Sequence, residues 1–78
     1  MKIRIGNLNR MTTAGQLAAL FLPFGKVFSS KIVTAGPKGR SQGTGLVEME
    51  FPSGKQAIRK LHLLLFMNSY IDVNEVMN

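Results

Sequence analysis

The sequence predicts an α+β sandwich in which two helices cover one face of a four-stranded antiparallel sheet. Segments with apolar residues at every second position alternate with segments at helical spacing, in the order βαββαβ. The chain has 78 residues, of which 45% are hydrophobic, and this suits one small folded domain over residues 1–78. It contains no cysteine, so a disulfide framework or a thiolate metal site is excluded.

The first strand and the start of the first helix are both marked in the sequence. Residues 2–6 alternate polar and apolar, so Ile3 and Ile5 are predicted to face the core. Thr13 is a candidate helix N-cap, because Gln16 three residues later completes a capping-box pattern.

This first helix leads into the second strand. The apolar residues of the first helix predict one buried stripe, formed by Leu17, Leu20, Phe21 and Phe24. Pro23 and Gly25 end the helix, and residues 27–34 form the strand. Ser30 takes an inward position there, so we expect its hydroxyl to find a backbone partner or a water. We expect all the phenylalanines to be core residues: Phe21, Phe24, Phe28, Phe51 and Phe66.

A basic loop precedes the third strand. Residues 35–42 combine glycines and a proline with basic residues, which predicts a flexible connection. The alternation that follows, up to about residue 51, places two sets of side chains on opposite faces. The inward set is Gly45, Val47 and Met49, and the outward set is Thr44, Leu46 and Glu48.

A second helix and a last strand complete the pattern. Ser53 is predicted to be the helix N-cap. The apolar stripe of this helix is Ala57, Ile58 and Leu61. The last strand is predicted over residues 69–73, with Ile71 and Val73 inward. The uncovered face of such a sheet is where a ligand can lie.

The charge balance favours a polyanionic partner. Ten Lys and Arg against four acidic residues give a net charge of +6 and a pI near 10.4. This favours nucleic acid over a membrane surface, although a small protein can also be basic without such a partner. The first residues do not resemble a signal peptide, and the apolar run at residues 63–67 is too short to span a bilayer. We expect a cytoplasmic protein.

Five stretches, in the right order and at nearly the right spacing, resemble the RNA-recognition motif family in its short single-domain form. They are residues 3–8, 20–27, 39–49, 57–61 and 73–75. Together they cover nearly the whole chain. The resemblance implies a ferredoxin-like fold and the binding of single-stranded RNA on the open face of the sheet.

The sequence departs from the family at the positions that contact bases. The family stacks bases on aromatic rings of the two central strands. The resemblance places Arg4, Thr44 and Leu46 at those positions, and Gln42 where a basic residue is usual. Each lost stack is worth about 1–3 kcal/mol. A guanidinium, as in Arg4, can both stack under a base and pair with a phosphate.

We therefore predict an RNA-binding surface that works mainly through phosphate contacts. By strand parity, Lys2, Lys31 and Tyr70 share the open face with the signature positions. Lys38 and Arg40 border it from the basic loop. The predicted nucleic-acid-binding residues are Lys2, Arg4, Asn7, Lys31, Lys38, Arg40, Thr44, Leu46 and Tyr70.

No catalytic pattern accompanies this surface. His62 is the only histidine and has no evident carboxylate partner in the sequence. The glycine-rich residues 36–45 lack the lysine followed by Ser or Thr of a phosphate-binding loop. We expect no enzymatic activity, cofactor or metal.

A competing hypothesis is a protein-interaction module or a homodimer with a degenerate RNA-binding face. Residues 11–25 carry no charge, and residues 62–67 are almost wholly apolar. An exposed apolar patch often marks an association surface, here through Leu22, Leu64 or Leu65. Alternatively, the second stretch folds back onto the core.

Overall fold

The computed structural model describes residues 1–77, and it confirms the predicted sandwich. Its elements are β1 (Lys2–Gly6), α1 (Ala14–Phe21), a 3-10 helix (Leu22–Phe24), β2 (Val27–Ala35), β3 (Arg40–Met49), α2 (Phe51–Leu61), β4 (Leu65–Phe66), β5 (Ser69–Tyr70) and β6 (Asp72–Glu75). Four strands form one antiparallel sheet in the order β2-β3-β1-β6, and β4 pairs with β5 in a separate hairpin. In this part of the chain no helix is long and apolar enough to cross a membrane.

The core lies between the two helices and one face of the sheet, as the alternation predicts. Its buried residues are Ile3, Ile5, Leu8, Leu17, Phe21, Val47, Met49, Ala57, Leu61, Ile71 and Val73. At its centre α1 lies directly against β3. A Cβ placed on Gly45 would lie 2.5 Å from Cδ2 of Leu17. The absence of a side chain at Gly45 therefore permits the close approach of helix and sheet.

The predicted N-terminus of α1 is confirmed. Thr13 Oγ1 accepts a hydrogen bond from the Gln16 backbone N–H at 3.1 Å, and Gln16 Oε1 accepts one from the Thr13 N–H at 2.9 Å. The inward Ser30 also finds its expected partner, because its hydroxyl donates to the carbonyl oxygen of Ala14 at 3.0 Å. This bond fixes the start of α1 against β2.

Two predicted boundaries are wrong. The link between β2 and β3 is a short turn over residues 36–39, because Arg40 already pairs with Ala35. Ser53 does not cap α2, which begins at Phe51 and has Glu50 as its N-cap without a side-chain hydrogen bond. Pro52 explains the earlier start, since the first helical turn tolerates a residue that has no N–H to donate.

The predicted last strand is divided between two sheets. Ser69 and Tyr70 belong to the β4–β5 hairpin, whereas β6, the edge strand of the main sheet, begins at Asp72. The hairpin turns at Met67 and Asn68, both of which have positive φ angles, of 50° and 65°. A two-residue turn with two positive φ angles matches the twist of a hairpin. Ile71, between the two strands, is buried as predicted.

Side-chain hydrogen bonds attach this hairpin to the rest of the fold. Asn7 Nδ2 donates to the Tyr70 carbonyl at 2.8 Å, and Asn9 Nδ2 donates to the Met67 carbonyl at 2.9 Å. On the other side of the hairpin, His62 Nδ1 accepts from the backbone N–H of Val73 at 3.1 Å. The only histidine, which follows α2, therefore joins the end of this helix to β6.

The expectation that every phenylalanine is a core residue is wrong for two of them. Phe21 is buried, and Phe24 and Phe66 pack partly buried against the core. Phe28 is 54% exposed and Phe51 is 55% exposed. Phe51 starts α2, where the chain leaves the sheet, and Phe28 lies at an irregularity in β2.

Candidate nucleic-acid interface

A row of side chains crosses the open face of the sheet. Arg4 on β1 lies opposite Leu46 on β3 and Asn74 on β6, and Leu46 in turn lies opposite Lys31 on β2. Neighbouring strands are about 4.8 Å apart, so the row spans about 15 Å. Arg4, Lys31 and Asn74 are exposed and Leu46 is half-buried. Two cations therefore flank an apolar side chain, and an amide ends the row. We call these four residues the central row.

The Arg4 guanidinium lies over the backbone of Gly6. A Cβ built on Gly6 would lie 2.8 Å from Arg4 Nη1 and 3.6 Å from both Cζ and Nη2. The side chain thus extends along β1 over a position that has no side chain of its own. In this pose the planar guanidinium lies close to the sheet, at the signature position where the family carries an aromatic ring.

A second row, parallel to the first, is mixed in charge. Glu48 on β3 lies opposite Lys2 on β1 and Ser29 on β2, and all three are exposed. The ion pair found within residues 1–77 joins Lys55 and Glu75 at 3.0 Å. It lies on the helix side, and among the described residues neither Arg4 nor Lys31 forms an ion pair with a carboxylate. The open face is basic at its centre, with Glu48 at one end and the half-buried Asp72, opposite Gly6, at the other.

The basic turn lies farther from this row than the sequence predicts. Lys38 and Arg40 are exposed, but Arg40 is six residues from Leu46 along β3. Leu46 lies opposite Lys31 and Arg40 opposite Ala35, four residues farther along β2, so at about 3.3 Å per residue the separation is about 13 Å. A register shift between Ile32 and Thr34 also interrupts the alternation that would carry the open face to Arg40. The structure therefore does not bring these two cations together with Arg4.

Asn7 and Tyr70 meet at the other end of β1. Tyr70 is 63% exposed, but it lies in the hairpin opposite Leu65 and not on a strand of the main sheet. Asn7 has a φ of 57° and holds the Tyr70 carbonyl through its amide. Its side chain thus positions the hairpin. Thr44, also predicted for the site, lies half-buried on β3 next to Gly45.

Sequence reasoning missed two residues of this surface. Asn74 alternates with the buried Val73, and it was missed because the last strand was predicted to end at residue 73. Phe28 was missed because uninterrupted alternation with Ser30 and Ile32 assigns it to the core. Among the described residues, no three acidic, histidine or cysteine groups are close enough to hold a metal.

Comparison with known proteins assigns the family. The RNA recognition motif profile matches residues 3–72. The chain is 33% identical over 76 residues to the "Putative RNA-binding protein RbpE" of Nostoc sp. strain PCC 7120, covering 96% of this chain and 77% of that protein.

Solved structures agree with this assignment. The crystal structure of RNA Binding Protein PG1 superposes with a TM-score of 0.95 at 34% identity, covering 100% of this chain and 95% of that one. The RNA15 RRM structure, at 22% identity and a TM-score of 0.90, covers 99% and 90% of the two chains and shares the fold. The chain belongs to the RNA recognition motif family.

Proposed function

We propose that this protein binds single-stranded RNA on the open face of its sheet, mainly through phosphate contacts. The observation that carries the proposal is the central row, in which unpaired cations at Arg4 and Lys31 flank Leu46. Membership of the RNA recognition motif family and the 33% identical relative named as an RNA-binding protein support the choice of RNA. The absence of rings at the signature positions supports phosphate contacts as the main source of affinity.

The placement of Arg4 gives it the leading role in this proposal. Its guanidinium, held over Gly6, offers a flat surface to a base and N–H donors to a phosphate. Lys2 and Lys31 supply point charges on either side. Leu46 supplies an apolar contact between them. Such a surface contacts the phosphate backbone of the RNA and discriminates only weakly between bases.

The test is a titration of a fluorescein-labelled single-stranded RNA of mixed sequence, followed by anisotropy at several salt concentrations. Each phosphate contact on a single strand contributes about −0.7 to the slope of log K against log salt. With contacts from Lys2, Arg4 and Lys31, the expected slope is about −2. Arg4→Ala is expected to weaken binding and to reduce the slope by about 0.7.

Arg59→Ala is the matched control, because it removes an exposed arginine from α2 on the opposite side of the molecule. It should leave both the affinity at moderate salt and the slope close to those of the unmodified protein. Absence of binding at low salt would refute the proposed function. Equal effects of the two substitutions would refute the location of the site.

A second candidate function is protein association through the hairpin region. Leu63, Leu64 and Leu65 are three consecutive exposed leucines, and Phe66 packs partly buried against the core. Leu22 is also exposed, but it follows the last residue of α1. The hairpin is held by Asn9, before the start of this helix, which is about 12 Å long. An association surface would therefore use Leu64 and Leu65 rather than all three predicted leucines. Sedimentation of Leu65→Ser beside the unmodified protein tests it, and a monomer at high concentration in both would count against it.

A further inference from the structure

Phe28 owes its exposure to a β-bulge in the edge strand. Val27 lies opposite Met49, yet Ser29, two residues later, lies opposite Glu48, only one residue earlier on β3. Two residues of β2, Phe28 and Ser29, thus oppose a single residue of β3. A bulge of this kind re-aims a side chain, and it removes Phe28 from the inward position that alternation assigns to it.

The bulge places this ring beside the open face. Ser29, its neighbour, lies in the row of Glu48 and Lys2 on that face. Lys31 of the central row is three residues farther along β2, a separation of about 10 Å. Phe28 is therefore continuous with the proposed RNA surface, at the end of the sheet where β2 begins.

A cation accompanies the ring. Nζ of Lys26 lies 5.9 Å from the centroid of Phe28, within the range of a cation–π contact. Both side chains are exposed. An aromatic face and an ammonium group at this separation match the two parts of a nucleotide, the base and the phosphate.

We propose that Phe28 is a base-stacking subsite for single-stranded RNA, with Lys26 contacting an adjacent phosphate. The proposal rests on the proposed function and extends it to the outer edge of the sheet. The ring also supplies at the edge the stacking that the central signature positions lack.

Phe51 provides a closely matched control. It is 55% exposed against 54% for Phe28, and Nζ of Lys55 lies 5.3 Å from its ring centroid. It differs in position, since it is the first residue of α2, in the helical layer. The proposal therefore predicts opposite results for two rings that have nearly the same exposure and the same kind of neighbour.

The first measurement is the affinity of Phe28→Ala and Phe51→Ala for a short labelled single-stranded RNA of mixed sequence. Loss of one base stack is expected to weaken binding about 5- to 150-fold in Phe28→Ala. The salt slope should not change, because no charge is removed. Phe51→Ala should bind like the unmodified protein. Thermal unfolding of both variants checks that the exposed positions tolerate the change.

A second measurement reports stacking directly. The chain contains no tryptophan, so Phe28→Trp and Phe51→Trp each introduce a single indole. RNA should quench the fluorescence of Phe28→Trp and leave that of Phe51→Trp unchanged.

The outcomes separate the two proposals. If the unmodified protein binds RNA but Phe28→Ala binds equally well, the subsite is refuted and the proposed function stands. If Phe28→Ala and Phe51→Ala lose affinity equally, the assignment to a stack on Phe28 is also refuted. If the unmodified protein binds no RNA, the proposed function fails and the subsite fails with it.

Discussion

Gly45→Ala is expected to destabilise the fold, because α1 occupies the space that the added methyl group needs. The new Cβ would lie 2.5 Å from Leu17 Cδ2, 3.2 Å from Leu8 Cδ1 and 3.3 Å from the backbone oxygen of Lys31. Favourable carbon–carbon contacts are about 3.5–4.0 Å long, so the overlap with Leu17 is about 1 Å. Leu17 is fully buried, and its methyl group has no solvent to move into.

Two opposing effects set the size of the change. Overpacking of this kind costs about 1–3 kcal/mol. The lower entropy of an unfolded chain with alanine offsets about 0.4–1 kcal/mol of that. We expect a net loss of about 1–2 kcal/mol in the free energy of unfolding. For a domain of this size each kcal/mol lowers Tm by about 4–8 °C, which gives a fall of about 4–16 °C.

Gly15→Ala is the control for this experiment, since the same chemical change is made where space is open. Gly15 is exposed in the first turn of α1, and the nearest atom to an added Cβ is Thr13 Oγ1 at 3.9 Å. Alanine there should stabilise the protein by about 0.5–1 kcal/mol. Urea unfolding followed by circular dichroism measures both variants. A Gly45→Ala protein as stable as the unmodified one would refute the close approach of α1 to β3.

Two further substitutions test how single residues position the surface. Gly6→Ala should displace the flexible Arg4 guanidinium, whose Nη1 lies 2.8 Å from the added Cβ, and so weaken RNA binding as Arg4→Ala does. Its Tm should change little, and unchanged affinity in the anisotropy titration would refute the role of this pose. His62→Ala should destabilise the protein by about 1–3 kcal/mol, because the Val73 N–H loses its acceptor. Urea unfolding checks this against Lys60→Ala, an exposed neighbour that should have little effect.

The alternation of side chains predicted most of the fold because each buried position depends on local geometry alone. Ile3 and Ile5 on β1, and Val47 and Met49 on β3, are all fully buried as predicted. The capping box at Thr13 is equally local, and it forms as predicted. A strand that has one wet face and one buried face leaves little choice of register.

Strand pairing was harder to predict, because a period of two does not identify the partner. Residues 69–73 alternate in the sequence, yet Tyr70 pairs with Leu65 and Asp72 pairs with Gly6. The turn that makes the hairpin possible uses Met67 and Asn68 at positive φ. Methionine is not a residue that signals such a turn, so the sequence carries little trace of it.

In the candidate site, too, alternation predicts the face of a side chain only where the strand register is regular. Parity correctly places Arg4, Leu46 and Lys31 on one face, because no irregularity interrupts the register between them. It fails for Phe28, because one inserted residue reverses the face of everything on its far side. Parity also gives no distance along a strand, and Arg40 lies about 13 Å from the central row.

The positions of Tyr70 and Phe28 bear on how the proposed surface would hold RNA. Tyr70 is attached by Asn7 to the end of β1, whereas Phe28 lies near Glu48, which pairs with Lys2 at the start of β1. Tyr70 therefore lies in the hairpin beyond one end of β1, Phe28 lies near the other end, and the central row lies between them. Phosphate contacts carry no sequence information, while stacks tolerate any base. An RNA held by charge at the centre and by rings at its ends would be bound with weak sequence preference, and this is the behaviour that a sheet without central aromatic residues can support.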